Sequence, residues 1–320
     1  MQGLRSLGTA CVLGIAVTAC SSSNALTGVT PGSASQTQAS HISTLRGWMS
    51  PDSRIAKRLL YVSVDISGSQ HFVNVFWVHD DVRKASLVGQ ITDGIDQPEG
   101  LAVDTKGNLY VANLDSNRVT VYGPGKTKPS LTLKVPDPPL DVAVGSNGYV
   151  YVGDEAGGVD VYPPGAKSSS RRLTNSSLTV VAGVAVSSSN DVYAAGGSGN
   201  SSYATSAVVE FAKAKGSGKN LGLTGLSGRL PGVIVTGNDL IVTDFDAGEI
   251  LTYPLGHTSP SSTISVYDPV RPALTKAEHK IFVPSTSSGN TDVYDYPSGT
   301  FVTHIQDGDT GAAFSHAPRF

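Results

Sequence analysis

The sequence is poor in cysteine, in charge and in helical periodicity, and each shortage narrows what the protein can be. Only two cysteines occur in 320 residues, Cys11 and Cys20, both within the first twenty positions. Downstream of Cys20 there is no thiol, which excludes cysteine nucleophiles, disulfides and cysteine-based zinc sites from the rest of the chain. Charged residues make up 15% of the chain and the net charge is −3, without any block of Lys and Arg. No basic field recruits nucleic acid, so none is expected as a partner. Beyond the N-terminus no segment sustains a helical period, while Gly (36) and Pro (18) are frequent, so short strands between turns are expected.

Catalytic signatures are scarce as well. No Gly-x-Ser-x-Gly occurs, so a nucleophile elbow is unsupported. The run "GPGKT" at 123–127 has Thr120 where a phosphate loop needs its first glycine, and reads as a turn. His41, His71, His79, His257, His279, His304 and His316 include no pair at metal-ligand spacing.

What is present begins with an address. Arg5 precedes an apolar run, Leu7 to Ala19, that is too short for a comfortable membrane span. It ends in Val17-Thr18-Ala19-Cys20, which resembles the lipobox of bacterial lipoproteins. That resemblance implies a signal peptide over 1–19, lipidation of Cys20 and a protein held in the cell envelope by its N-terminal lipid. Ser21 in place of Asp after the cysteine favours the outer membrane. Residues 20–55 open with a Ser-, Thr- and Gly-rich stretch and are expected to form a flexible tether, leaving 56–320 as the folded domain.

From Leu59 onward the chain repeats. The segments "PEGLAVD", "PLDVAVG", "VAGVAVS", "LPGVIVT", "RPALTKA" and "DTGAAFS" place Gly100, Asp141, Gly183, Gly232, Ala273 and Gly311 at one equivalent position, with spacings of 41, 42, 49, 41 and 38. After each of the first five come a turn, a β-rich run such as "LYVAN", a second such as "RVTVY", and a weaker fourth such as "SLTL". Four short strands per unit make a propeller blade. The chain enters on second- and third-strand patterns, "LLYVSVDIS" and "FVNVFWVHD", and leaves on a first-strand pattern. The expected fold is therefore an all-β, six-bladed β-propeller of four-stranded antiparallel blades, closed by the C-terminal strand joining the first blade, with Gly311–Ser315 beside Leu59–Ser63. The aromatics Tyr122, Tyr162, Phe211, Tyr253 and Tyr296 close the third strands and are expected to pack between blades.

"PEGLAVDTKGNLYVANLDSNRVTVY" resembles an NHL-type repeat; the match is close here, partial in the unit at Pro139 and degenerate elsewhere. The resemblance implies the propeller fold more than a function. NHL-type propellers include protein- and RNA-binding modules and neighbour the streptogramin-lyase-like and gluconolactonase-like enzymes.

Blade topology sorts the loops onto two faces. Loops after second strands and between blades carry many carboxylates, against only Lys134, Arg229 and Arg271; loops after third strands carry Lys126, Lys128, Lys167, Arg171, Arg172, Lys213, Lys215 and Lys219. An acidic upper face and a basic lower face are expected. Asp141 takes the position where the other units have Gly or Ala, so a carboxylate stands near the channel and must be hydrated, paired or bound to a cation. Asp154, Asp244 and Asn113 are its expected neighbours, a set that a hard divalent ion would accept, but a salt bridge or water at Asp141 is the reading preferred to a metal. The loop Gly196–Ser206, with Tyr203, is expected near the same opening.

The favoured reading is a monomeric, non-catalytic envelope lipoprotein that needs no cofactor and whose propeller binds a protein, peptide or glycan. The alternative is a metal-dependent lactonase, hydrolase or lyase using the Asp141 set with a divalent cation.

Overall fold

The computed structural model describes residues 46–54, 58–66, 70–198, 205–275 and 279–316. Cys20 and Tyr203 lie outside these residues. Six antiparallel sheets form a ring, and almost no helix interrupts them. The inner strands are Gly311–His316 in blade 1, then Pro98–Val103, Pro139–Val144, Val180–Val186, Gly232–Val235 and Ala273–Thr275 in blades 2 to 6.

Closure follows the expected register. Gly311–His316 pairs with Arg58–Ile66, Ser63 opposite Gly311 and Leu59 opposite Ser315. One blade is thus assembled from both ends of the domain, and Arg58–Ile66 is paired on both sides instead of being left as an open edge.

The blades pack face to face, and this explains the sequence of their middle strands. Leu109–Asn113 and Val150–Asp154 are buried at every position. A strand covered on both faces has no solvent side, so its residues run apolar without alternation. Between blades 2 and 3, for example, Ala112, Val119 and Val121 interleave with Val142, Val150 and Val152. Each fully buried Val or Leu of this kind contributes about 1.5–3 kcal/mol relative to exposure.

Polar turn residues shape the hairpins. In "DTKGN" the Asp104 carboxylate accepts from the Lys106 N–H at 2.9 Å and the Asn108 N–H at 2.8 Å, and Gly107 has φ +81°. A side chain that holds its own turn, followed by a glycine at positive φ, reverses the chain at little cost.

Two boundaries differ from the expectation. Residues 46–54 belong to the propeller rather than the tether: Trp48–Met49 adds a fifth, outermost strand to blade 1, with Trp48 opposite Gln90, and a short 3-10 turn follows over Pro51–Arg54. The Gly- and Ser-rich stretch also begins and ends as strand, with Gly196, Gly197 and Ser198 opposite Ala207, Ser206 and Thr205. Small residues permit a ladder there because backbone bonds, not side chains, hold it.

The closing tyrosines act as rivets. The rings of Tyr122, Tyr162 and Tyr253 are buried, and their hydroxyls donate to the carbonyls of Asp93 at 2.7 Å, Lys134 at 2.8 Å and Thr224 at 2.8 Å. Each acceptor lies on the chain running in from the preceding blade. Phe211 is buried at the same place without a hydroxyl, while Tyr296 is only half-buried, its hydroxyl 3.1 Å from Thr252 Oγ1. Replacing Tyr162 or Tyr253 by Phe is expected to lower stability by about 1 kcal/mol, the usual net worth of one such hydrogen bond. Urea unfolding measures this; unchanged midpoints would show that the rivets contribute nothing.

Candidate functional site

At the axis the inner strands approach so closely that the repeated small residue is a steric requirement. A Cβ on Gly183 would stand 3.0 Å from the Gly232 Cα, one on Gly232 2.7 Å from the Pro272 Cδ, and one on Gly311 2.5 Å from the Glu99 carbonyl oxygen. Asp141 occupies the equivalent position because its neighbour is bare: a Cβ on Gly100 would lie 2.6 Å from the Asp141 Cα and collide with its carboxylate.

Asp141 is buried, and its oxygens accept from the backbone N–H of Val142 at 2.9 Å and of Val184, in the next blade, at 2.7 Å. The nearby charged groups that act on it are Arg271 and Glu99. Arg271, 7% exposed, reaches across the axis from the approach to blade 6. Its Nη1 donates to Glu99 Oε2 at 2.6 Å and to the Thr310 carbonyl at 3.3 Å, and its Nε to the Ala182 carbonyl at 3.1 Å. Thr310 Oγ1 donates to the Pro98 carbonyl at 2.7 Å and lies 2.8 Å from Ser63 Oγ, which donates to the Glu99 carbonyl at 2.8 Å. One polar network therefore ties blades 1, 2, 4 and 6 together through Arg271, and Asp141 ties blade 3 to blade 4.

The electrostatics follow from burial. Loss of water pushes the Asp141 carboxyl from 3.8 up to about 7, against the pull of Arg271 and its two backbone donors. Glu99 is raised too, because desolvation outweighs the attraction of Arg271. Both shifts mark groups whose charge the interior tolerates poorly.

Asp141 and the other three members of the expected set have separate hydrogen-bond partners, although Asp154 follows Gly153, which lies opposite Asp141 in the sheet. Asn113, Asp154 and Asp244 sit at the ends of second strands, and each is consumed in its own blade. Asn113 Oδ1 accepts from the Asp96 N–H at 3.0 Å and its Nδ2 donates to Thr120 Oγ1 at 2.9 Å. Asp244 accepts from the Ser227 N–H at 2.6 Å and the Ala247 N–H at 3.1 Å. Asp154 holds the N–H groups of Ala156 and Gly158 and receives two bonds from Arg172, at 2.5 and 2.8 Å. Asp154 and Asp244 close the turn after their strand, while Asn113 and Asp244 fix the incoming crossing. None of the three shares a hydrogen-bond or ion-pair partner with Asp141 among the described residues. Nor do the described residues include three or more His, Cys, Asp or Glu side chains placed to hold a metal ion.

Arg172 also corrects the expected partition of charge. It stands opposite Asp160 on the outer strand of blade 3, and its long stem carries the guanidinium to Asp154, Asp160 and Asp137. Together with Arg229, which pairs with Asp246 at 2.6 Å and stacks over Phe245, it neutralises part of the upper rim. Sequence reasoning placed Glu99 and Arg271 on the same face but did not join them; 172 positions separate the two, and only ring closure makes them neighbours.

With this geometry in place, comparison with known proteins adds the following. Residues 96–122 match the NHL repeat. The match covers the first three strands of blade 2. No curated protein sequence matches. Among solved structures, a chain from "Crystal structure of Nidogen/Laminin Complex" superposes with a TM-score of 0.65 at 11% identity, covering 81% of this chain and 98% of that one. At that identity the likeness is one of fold alone.

Two outcomes test the axis. Gly100→Ala is expected to destabilise by about 1–3 kcal/mol through overpacking, and a thermal midpoint equal to wild type would refute the close approach. For Asp141, the folded state holds the proton up to about 7 whereas the unfolded chain releases it near 3.8. Between those values the folded state binds more protons, so stability falls as pH rises from about 4 to about 7 and levels off above. Asp141→Asn is expected to flatten that decline in urea titrations at successive pH values, and an unaltered slope would count against it.

Proposed function

We propose that this protein is a non-catalytic binding or scaffold module, anchored in the cell envelope through lipidated Cys20, whose propeller surface engages a protein, peptide or glycan. The observation that carries this reading is the saturation of the rim. Asn113, Asp154, Asp244 and Asp246 spend their oxygens on turns, crossings and arginines, and Arg271 is clasped to Glu99 across the channel. A reacting centre needs groups held ready for substrate; here those groups hold the blades. What such a scaffold offers instead is a rigid surface of loops. The fold likeness to a chain crystallised in a nidogen/laminin complex is consistent with macromolecular recognition, and the lipobox-like "VTAC" supports the anchor.

The anchor and the binding role are tested separately. Cys20→Ser is expected to move the protein from the membrane fraction to the soluble fraction; an unchanged distribution would overturn the anchor. Arrays of envelope glycans and peptides are expected to give saturable binding that EDTA does not abolish. Metal-dependent turnover of a lactone panel, lost in Asp141→Ala, would overturn the non-catalytic reading.

A further inference from the structure

The basic character of the lower face is uneven. Lys126, Lys128, Lys167, Lys213, Lys215 and Lys219 follow the third strands of blades 2 to 4, whereas the corresponding loops of blades 5 and 6, residues 255–261 and 297–300, hold neither Lys nor Arg. Between blades 5 and 6 this face carries a cleft of about 360 Å³, a size usual for small-molecule sites. One wall is the hairpin 236–239 of blade 5; the other is Leu274, His279 and Tyr296 of blade 6. Leu274 and Tyr296 are half-buried against the core between the two blades, and hydrocarbon dominates the surface left open.

Asp239 brings to this cleft a carboxylate that the fold does not use. It lies two residues before Ile241, which packs in the core between blades 5 and 6, so strand alternation turns both side chains to the same side. The hairpin is held without it: Thr236 Oγ1 accepts from the N–H groups of Asn238 at 3.2 Å and of Asp239 at 2.9 Å. The equivalent carboxylate of blade 4, Asp191, accepts from the Lys213 N–H at 2.8 Å and pairs with the Lys213 ammonium at 3.8 Å. Asp239 instead stands opposite Pro254, which has no N–H. Its carboxylate has neither hydrogen bond nor ion pair among the described residues. Lys280, at the start of the second strand of blade 6, is bonded to Asp295. Lys276 and Glu278, of opposite charge, lie outside the described residues. Burial pushes the Tyr296 phenol up, its bond to Thr252 draws it back, and the Asp239 charge adds to the rise, so carboxylate and ring share one electrostatic environment.

We propose that this cleft binds an alkylammonium group, the ammonium donating to the Asp239 carboxylate beside the Tyr296 ring and the hydrocarbon chain lying along Leu274. Charge selects the head group. Among the described residues the wall carries one carboxylate, one imidazole and no Lys or Arg. An anion is repelled there, and a neutral alcohol leaves the carboxylate without a counter-charge, whereas an ammonium forms a charge-assisted hydrogen bond. The aromatic wall adds cation–π attraction. The space equals roughly twelve water molecules, enough for a chain of about six carbons. A free amine and the lysine side chain of a peptide offer the same group. The site depends on the cleft alone and not on the macromolecular surface proposed above.

Calorimetric titration of the full chain at pH 8 with hexylamine, hexanol and hexanoate tests it. Hexylamine is expected to bind saturably, hexanol about tenfold more weakly or less, and hexanoate without saturable heat. Asp239→Asn is expected to weaken hexylamine by about tenfold, and Asp239→Lys, which places an ammonium of the chain in the cleft, to abolish its binding, while the circular dichroism of the folded sheet persists in both. The peptide acetyl-Gly-Lys-Gly-amide, set against its norleucine counterpart, separates the two sources: saturable binding of the lysine peptide alone assigns the group to a peptide side chain, and binding of hexylamine without either peptide assigns it to a free amine. Hexanol or hexanoate binding as tightly as hexylamine, no saturable heat from hexylamine, or wild-type affinity for it in both folded Asp239 variants would overturn the proposal.

Discussion

How closely six inner strands can converge decides most of this molecule. Where Gly183, Gly232 and Gly311 meet their neighbours, backbone touches backbone, and a methyl group would already collide. That crowding leaves room for one long side chain to cross the axis, and Arg271 takes it. Its bonds to Glu99, Ala182 and Thr310 then join strands that lie far apart in sequence. A buried ion pair is weak evidence of net stability, because desolvation offsets much of the attraction. Its stronger consequence is geometric, since the pair is complete only when the ring is closed in the right register.

The same crowding separates the two faces chemically. Toward the upper face the channel ends in a clasp, and the surrounding carboxylates are drawn into turns and arginine pairs. Toward the lower face the valines near the ends of the inner strands, Val103, Val144, Val186 and Val235, are half-buried and pack against the cores between blades.

The fold was legible in the sequence because its signals are local. Turn chemistry such as "DTKGN", apolar runs such as "LYVAN" and one closing aromatic per blade each act within a few residues, and together they specify blade, ring and closure. The contribution of Trp48–Met49 was not legible: two residues pairing with an outer edge leave no periodic pattern. The candidate site was legible only in part. Asp141 stood out as a carboxylate among glycines. Asn113, Asp154 and Asp244 have the composition of a ligand set, yet composition does not reveal that each oxygen is already used by a turn. The pairing of Glu99 with Arg271 depends on ring geometry, which no local pattern encodes. Arg172 was misplaced for a related reason, since the loop that a residue follows does not fix where a long side chain delivers its charge.

The most direct test of the axial clasp is a double-mutant cycle on Arg271→Met and Glu99→Gln, measured by equilibrium urea unfolding at pH 8. Arg271→Met alone should cost about 3–5 kcal/mol by leaving Glu99 buried without its partner, and the double variant should recover part of that loss, with a coupling energy of at least about 1 kcal/mol. Strictly additive effects of the two substitutions would contradict the account, because they would mean that the blades are held at the axis without the clasp.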